Sequence, residues 1–271
     1  MILIFSNLIV SLSAGILCLG IGKYFSHDLE WQKALFVFCS TLCVYNFQRI
    51  LKINSNSTLS EQMNWMTEHR FASYTFTLIG AIGSIYLFVS YFFHPYYFLL
   101  FIPAGIVCLF YAMQFLRWKN HTISLRELPF IKIILIALIW SVSCFWFPIL
   151  KTPTISILET ILLSLIGFIY VISVTIPFDI RDLKYDSVSQ KTIPQILGWK
   201  RAKIVSITFL FISFGGLIYL SANLLESIYF WITFMLHFGL LLGVKPSNPN
   251  YYFSGFIDGV IATLGIALYL S

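Results

Sequence analysis

Long apolar runs separated by short polar stretches set the rhythm of this chain. Residues 2–22, 31–50, 72–92, 96–116, 128–147, 155–178, 203–220, 225–243 and 251–270 each approach the roughly 20 apolar residues that an α-helix needs to cross a bilayer. They use up nearly the whole chain and leave no stretch for a separate soluble domain. No period of 20 to 50 residues suggests a repeat architecture. The first run lacks a basic leader and is followed by further runs, so it reads as a membrane helix rather than a signal peptide. The expectation is an all-α integral membrane protein of about nine transmembrane helices, with residues 1–271 forming one domain.

Composition agrees: 59% of residues are hydrophobic, 10% are charged, and 27 Phe, 15 Tyr and 7 Trp accompany a mean hydropathy of +0.86. The basic residues fix an orientation. Of the 17 Lys and Arg, all but Lys23, Lys33 and Lys151 fall at the N-terminal side of the first run or in the connections on that same side. Basic flanks stay in the cytoplasm, which predicts a cytoplasmic N-terminus and an outer C-terminus. The net charge of +6 then belongs to the cytoplasmic face, where it also attracts anionic membrane lipid. Cys18, Cys39, Cys43, Cys108 and Cys144 lie inside the runs without metal-ligand spacing, and the five histidines are scattered. No nucleic-acid partner is expected.

Against this background one cluster stands out. Asp179, Asp182 and Asp186 are three of five aspartates, placed where the run 155–178 meets water. On a helix their offsets would set the carboxylates within about 60° of one another, an acidic edge that needs a cation, with a divalent metal the obvious guest. Arg181, Lys184, Lys191, Lys200, Arg201 and Lys203 follow closely. Carboxylates for a metal beside ammonium and guanidinium groups for anionic oxygens suit a diphosphate. The plainer alternative is a set of solvated helix-end charges paired with Arg181 and Lys184. On the same side, Asn46, Gln48 and Arg49 end the second run. An ionised group in hydrocarbon costs about 2.5 to 3.5 kcal/mol, so Arg49 either serves a site facing inward or snorkels to the interface. The charges gather at one face rather than at mid-membrane, unlike the polar residues expected of a transporter.

Asp179-Ile-Arg-Asp182-Leu-Lys-Tyr-Asp186, continued by Lys191-Thr-Ile-Pro194-Gln-Ile-Leu-Gly198-Trp-Lys200-Arg201-Ala202, resembles the second aspartate motif and downstream loop of the UbiA superfamily of intramembrane prenyltransferases. The nine runs, the segment Tyr111 to Lys119 closing the fourth, and Asp258-Gly259 in the last are similar to that family along most of the chain. The resemblance implies a bundle around a central cavity, an isoprenyl diphosphate bound through Mg2+, and prenyl transfer to a lipophilic, often aromatic acceptor. It implies catalytic and metal-binding roles for Asp179, Asp182 and Asp186. On side and motif, Asn46, Arg49, Tyr111, Lys119, Lys184 and Lys191 are expected to hold substrate. One departure is plain: the family's first motif, Asn-Asp-x-x-Asp-x-x-x-Asp, falls on Asn46 onward, where Phe47, Ile50 and Asn54 replace the aspartates. A noncatalytic lipid-binding or complex-assembly protein on the same scaffold, and a prenyl cyclase, are the alternatives this departure leaves.

Overall fold

The computed structural model describes residues 2–27, 29–53, 61–113, 116–118, 121–153 and 155–271. A short helix α1 (Ile2–Phe5) turns at Asn7 into α2 (Leu8–Ile21), which continues through a π-helical turn over Gly22–Ser26. There follow α3 (Trp31–Ile53), the short α4 (Glu61–Glu68), α5 (Arg70–Tyr91) and α6 (Pro95–Ala112). After a two-stranded hairpin, β1 (Leu116–Trp118) with β2 (His121–Ile123), come α7 (Ile131–Ser141) and α8 (Ile157–Arg181). The chain ends with the short α9 (Ile193–Leu197), then α10 (Trp199–Leu220), α11 (Ile228–Gly243) and α12 (Asp258–Leu270).

Seven of these segments are long and apolar enough to cross a membrane, and Pro95–Tyr111 and Ile228–Gly243 are shorter apolar helices in the same series. The all-α membrane bundle expected from the apolar runs is therefore the fold found. Of the boundaries that differ, two bear on the charged end of the bundle. The fourth run, expected to reach residue 116, stops at Ala112 because Met113 takes an extended backbone and the hairpin begins soon after. The sixth continues past residue 178 to Arg181, carrying Asp179 inside a helix.

The helices close on themselves: α2 packs between α3 and α12, α8 between α7 and α10, and α11 between α10 and α12. Outward faces stay apolar, as at Phe71, Leu78, Ile82 and Ile85 along α5, which suits lipid rather than water. Inward polar groups are bonded. Tyr170 on α8 meets His237 on α11 through hydroxyl and ring nitrogen at 2.7 Å, and the other ring nitrogen lies 2.8 Å from the Thr233 carbonyl. At the end opposite the aspartates, Lys33 is buried, its ammonium 2.7 Å from Glu30 and donating to the carbonyls of Pro148 at 3.0 Å and Leu150 at 3.3 Å.

A close crossing joins α2 to α12. A methyl group added at Gly20 would run into the backbone of Gly265, and one at Gly265 into that of Ile16 and Leu17. Backbones approach this closely only where neither helix carries a Cβ. Gly265→Leu is expected to destabilise the bundle by about 1–3 kcal/mol, the usual result of overpacking, read as a lower Tm of detergent-purified protein. Gly239→Leu, where nothing lies within 4 Å, is expected to leave Tm unchanged.

Candidate functional site

A cavity of about 520 Å³ lies between α3, α6, α7 and α8. Its two ends differ. The C-terminal ends of α3, α6 and α8 and the N-terminal ends of α7 and α12 meet on one side. There they bring Arg49, Lys52, Tyr111, Lys132, Asp179, Arg181, Asp182 and Asp258 to the wall, with Arg126 from the turn Leu125–Glu127. The opposite end is aromatic: Phe36, Phe88 and Phe101 line it, with Phe36 and Phe101 ring centres 4.8 Å apart and Phe147 packed behind at 4.8 Å from Phe101. Between the two, Trp140 donates its indole N–H to the Tyr45 hydroxyl at 3.1 Å. A second, small recess of about 40 Å³ opens beside the charged end and shares Arg49, Lys52, Arg181 and Asp182 with the large one.

The aspartates do converge, but on a cation that the chain itself supplies. Helix α8 ends at Arg181, Asp182 is its C-cap, and a single 3₁₀ turn follows over Asp182–Lys184, so the three do not lie on one continuous α-helix. Asp186 folds back through its amide to the Asp182 carbonyl at 2.8 Å. The Lys132 ammonium then lies 2.8 Å from Asp179, 2.6 Å from Asp186 and 4.0 Å from Asp182. Asp182 is also held at two points by its neighbour Arg181, at 2.7 and 3.1 Å. The contact to Asp179 is one of charge: both its buried oxygens lack an aligned hydrogen bond.

Helix electrostatics explain the arrangement. Carboxylates at a helix C-terminus oppose the macrodipole, as does an ammonium in the first turn of α7; the two misplacements lie side by side and cancel. Lys132 is reached because α7 runs antiparallel beside α8, and Phe130, in the left-handed region at φ 63, starts α7 while donating its amide to the Gln190 carbonyl at 3.0 Å. The Lys191-Thr-Ile-Pro stretch has a structural task here. Thr192 and Gln195 form a capping box that starts α9, with Pro194 in its first turn. The Gln195 amide donates to the Asp186 and Ser187 carbonyls at 3.3 and 3.1 Å, fixing the loop that aims Asp186.

Of the residues expected to hold substrate, Arg49 and Tyr111 line the cavity, and the Arg126 guanidinium lies 6.0 Å from the Tyr111 ring centre. Asn46 is fully buried behind the wall. It donates to the Ser6 and Leu42 carbonyls at 3.0 and 2.9 Å and accepts from the Asn7 side chain at 3.1 Å. Asn7, in the left-handed turn between α1 and α2, in turn accepts from Arg49 at 3.2 Å and from Gln62 on α4 at 3.0 Å. Asn46 thus positions Arg49 through Asn7. Lys184 is exposed with its ammonium 5.1 Å from the Tyr185 ring, and Lys191 is exposed on the loop; neither lines the cavity. Lys119 and Asn54 lie outside the described residues. Lys132 and Asn7 are site residues that the sequence motifs do not mark. A lysine four residues into the apolar run 128–147 was the available signal, since such a charge needs a partner; Asn7 gave none.

No family model matches the chain, and no curated protein matches it in sequence. Solved structures do. A UbiA homolog from Archaeoglobus fulgidus bound to GPP and Mg2+ aligns over 99% of this chain and 100% of its own, with a TM-score of 0.56 and 14% identity. The chain has the UbiA fold. The same homolog bound to DMAPP and Mg2+ aligns over 98% and 99% with a TM-score of 0.57 at 15% identity, and its Cd2+-bound form over 99% and 100% with a TM-score of 0.57 at 14% identity. With long apolar helices arranged in the UbiA fold, the chain is an integral membrane protein.

Those homolog structures hold divalent ions, but the residues of this chain do not fit one as they stand. Among the described residues no three or more Asp, Glu, His or Cys side chains are grouped to hold a metal. Asp179, Asp182 and Asp186, expected as metal ligands, are engaged by Lys132 and Arg181, and α3 faces them with Arg49 and Lys52 instead of carboxylates. Lys132→Met is expected to destabilise the protein by about 3–5 kcal/mol, because it strands buried carboxylates. Adding Asp179→Asn to Lys132→Met is expected to recover part of that loss; thermal unfolding of both single variants and the double variant measures the coupling.

Proposed function

We propose that this chain is a membrane-embedded prenyltransferase of the UbiA superfamily, one domain over residues 1–271, which binds an isoprenyl diphosphate and transfers its prenyl group to a lipophilic, aromatic acceptor. The observation that carries the reading is the polarity gradient of the cavity: charged at one end, aromatic at the other, and held in a fold whose solved examples contain GPP and DMAPP. An isoprenyl diphosphate has the same gradient. The basic residues at the charged end support a cytoplasmic site, with the N-terminus on that side and the C-terminus opposite.

The chemistry follows from the walls. With the diphosphate against Arg49, Lys52 and Arg126, the prenyl chain extends along α7 past Trp140 toward Phe36, Phe88 and Phe101. The allylic carbon–oxygen bond breaks with its electron pair on the departing diphosphate, whose charge the basic side chains hold. The carbocation left behind is sheltered by the faces of Tyr45, Trp140 and Phe178, which line the cavity between its two ends. A carbon of the acceptor closes the new bond, and its proton leaves to a carboxylate of the charged end, of which Asp258 reaches the wall. Apolar walls keep water from capturing the cation. A lipid-dissolved acceptor has an approach from the side, since α6 rests chiefly on α3 and on the turn Leu125–Glu127, without close packing against α7.

Incubation of purified protein with isoprenyl diphosphates of graded length and a lipid extract is expected to release pyrophosphate and give a prenylated product detectable by mass spectrometry. Binding of a donor without release by any of them would favour a lipid-binding protein on the same scaffold. Arg49→Ala is expected to weaken donor binding by about 1.5–3 kcal/mol, the contribution of a charge-assisted hydrogen bond, with calorimetry as the check.

A further inference from the structure

We propose that Lys132 is the resident counter-cation of the aspartate cluster, and that this chain recognises the diphosphate with basic side chains and without a divalent ion. The inference rests on the reading of the cavity as an isoprenyl diphosphate site and concerns how that site is charged.

The Lys132 ammonium is within ion-pair distance of Asp179, Asp182 and Asp186 at once, with only 10% of its side chain exposed. A divalent ion bridging these carboxylates would have to occupy much the same volume. The ammonium would then be left within a few ångströms of a doubly charged ion, in surroundings of low dielectric, where like charges repel strongly. Moving Lys132 aside would bury it without a partner. Lys132 and a bridging metal therefore exclude one another, and the covalently attached cation has the advantage of needing no concentration term.

The facing helix fits the same account. Positions where a second set of carboxylates would hold further metal carry Phe47 and Ile50, while Arg49 and Lys52, on the same stretch of α3, line both the large cavity and the small recess beside it. Arg49 is steadied by the neutral Asn7 amide and Arg126 by the Tyr111 ring, and among the described residues neither forms an ion pair with a carboxylate. Both guanidiniums line the cavity, Arg49 with the carboxylates of Asp182 and Asp258 acting on it from the same end. Arginine presents paired N–H groups that match phosphate oxygens without an intervening ion. Each element that ordinarily calls for a metal bridge, acid on one helix and acid on the other, is thus replaced by an internal ion pair on one side and direct basic donors on the other.

The test is calorimetric titration of the purified protein in detergent with an isoprenyl thiodiphosphate, a slowly ionising donor analogue, once in excess EDTA and once in millimolar magnesium. The expected result is one affinity in both buffers within about twofold. Lys132→Gln, which empties the ammonium position, is expected to bind the analogue at least about tenfold more tightly with magnesium than with EDTA. If that variant does not fold, the wild-type pair of titrations decides by itself. An affinity of the wild-type protein that rises about tenfold or more with magnesium overturns the counter-cation and leaves the diphosphate reading standing. No binding in either buffer overturns the diphosphate reading, and this inference with it.

Discussion

Three carboxylates at the C-terminal end of a helix, at the edge of a membrane, are an unstable proposition without positive charge among them. The field of the helix, their mutual repulsion and the scarcity of water all push in the same direction. In this protein the answer is Lys132, presented by the first turn of the neighbouring antiparallel helix at 2.6 to 4.0 Å from the three carboxylates. The register of α7 against α8, the left-handed start at Phe130, and the loop fixed by Gln195 all serve that one cluster. The charged end of the cavity is built outward from it.

On the other side of the same opening, order comes from neutral groups. Asn46 and Asn7 form a short relay from the core of α3 to Arg49, and Gln62 ties α4 into it. An amide relay suits a place where net charge must be reserved for a guest: it fixes a guanidinium in position without neutralising it. The cavity thus sets carboxylates in direct contact with cations along one wall against a guanidinium held by a neutral amide along the other. Such asymmetry orients an anionic head group as well as attracting it.

Much of the architecture was legible in the sequence because membrane helices announce themselves by length and apolarity alone, and all nine runs correspond to helices among the described residues. The expected boundary at 116 failed because Met113 ends α6 by a backbone change that hydropathy does not register. The aspartate cluster was legible as a cluster, through its density against an uncharged background. Its partner was not. Lys132 is 47 residues from Asp179 in sequence, and nothing local to either residue reveals that antiparallel packing joins them. Asn46 was found by motif, yet its place behind the wall depends on the turn at Asn7, which is set by a left-handed backbone no pattern of apolar residues encodes.

The contact between Gly20 and Gly265 has a bearing on how the molecule comes into being. It fastens the first membrane span directly to the last. A chain made from its N-terminus onward exposes α2 to the bilayer long before α12 has left the ribosome, so the small-residue face around Gly20 must wait in lipid for its counterpart. The bundle stays open between α2 and α11 until α12 is in place, so its closure comes late and joins partners far apart in sequence. A chain truncated before its final span would insert yet remain an open sheet of helices, and quality control in the membrane would meet it as one.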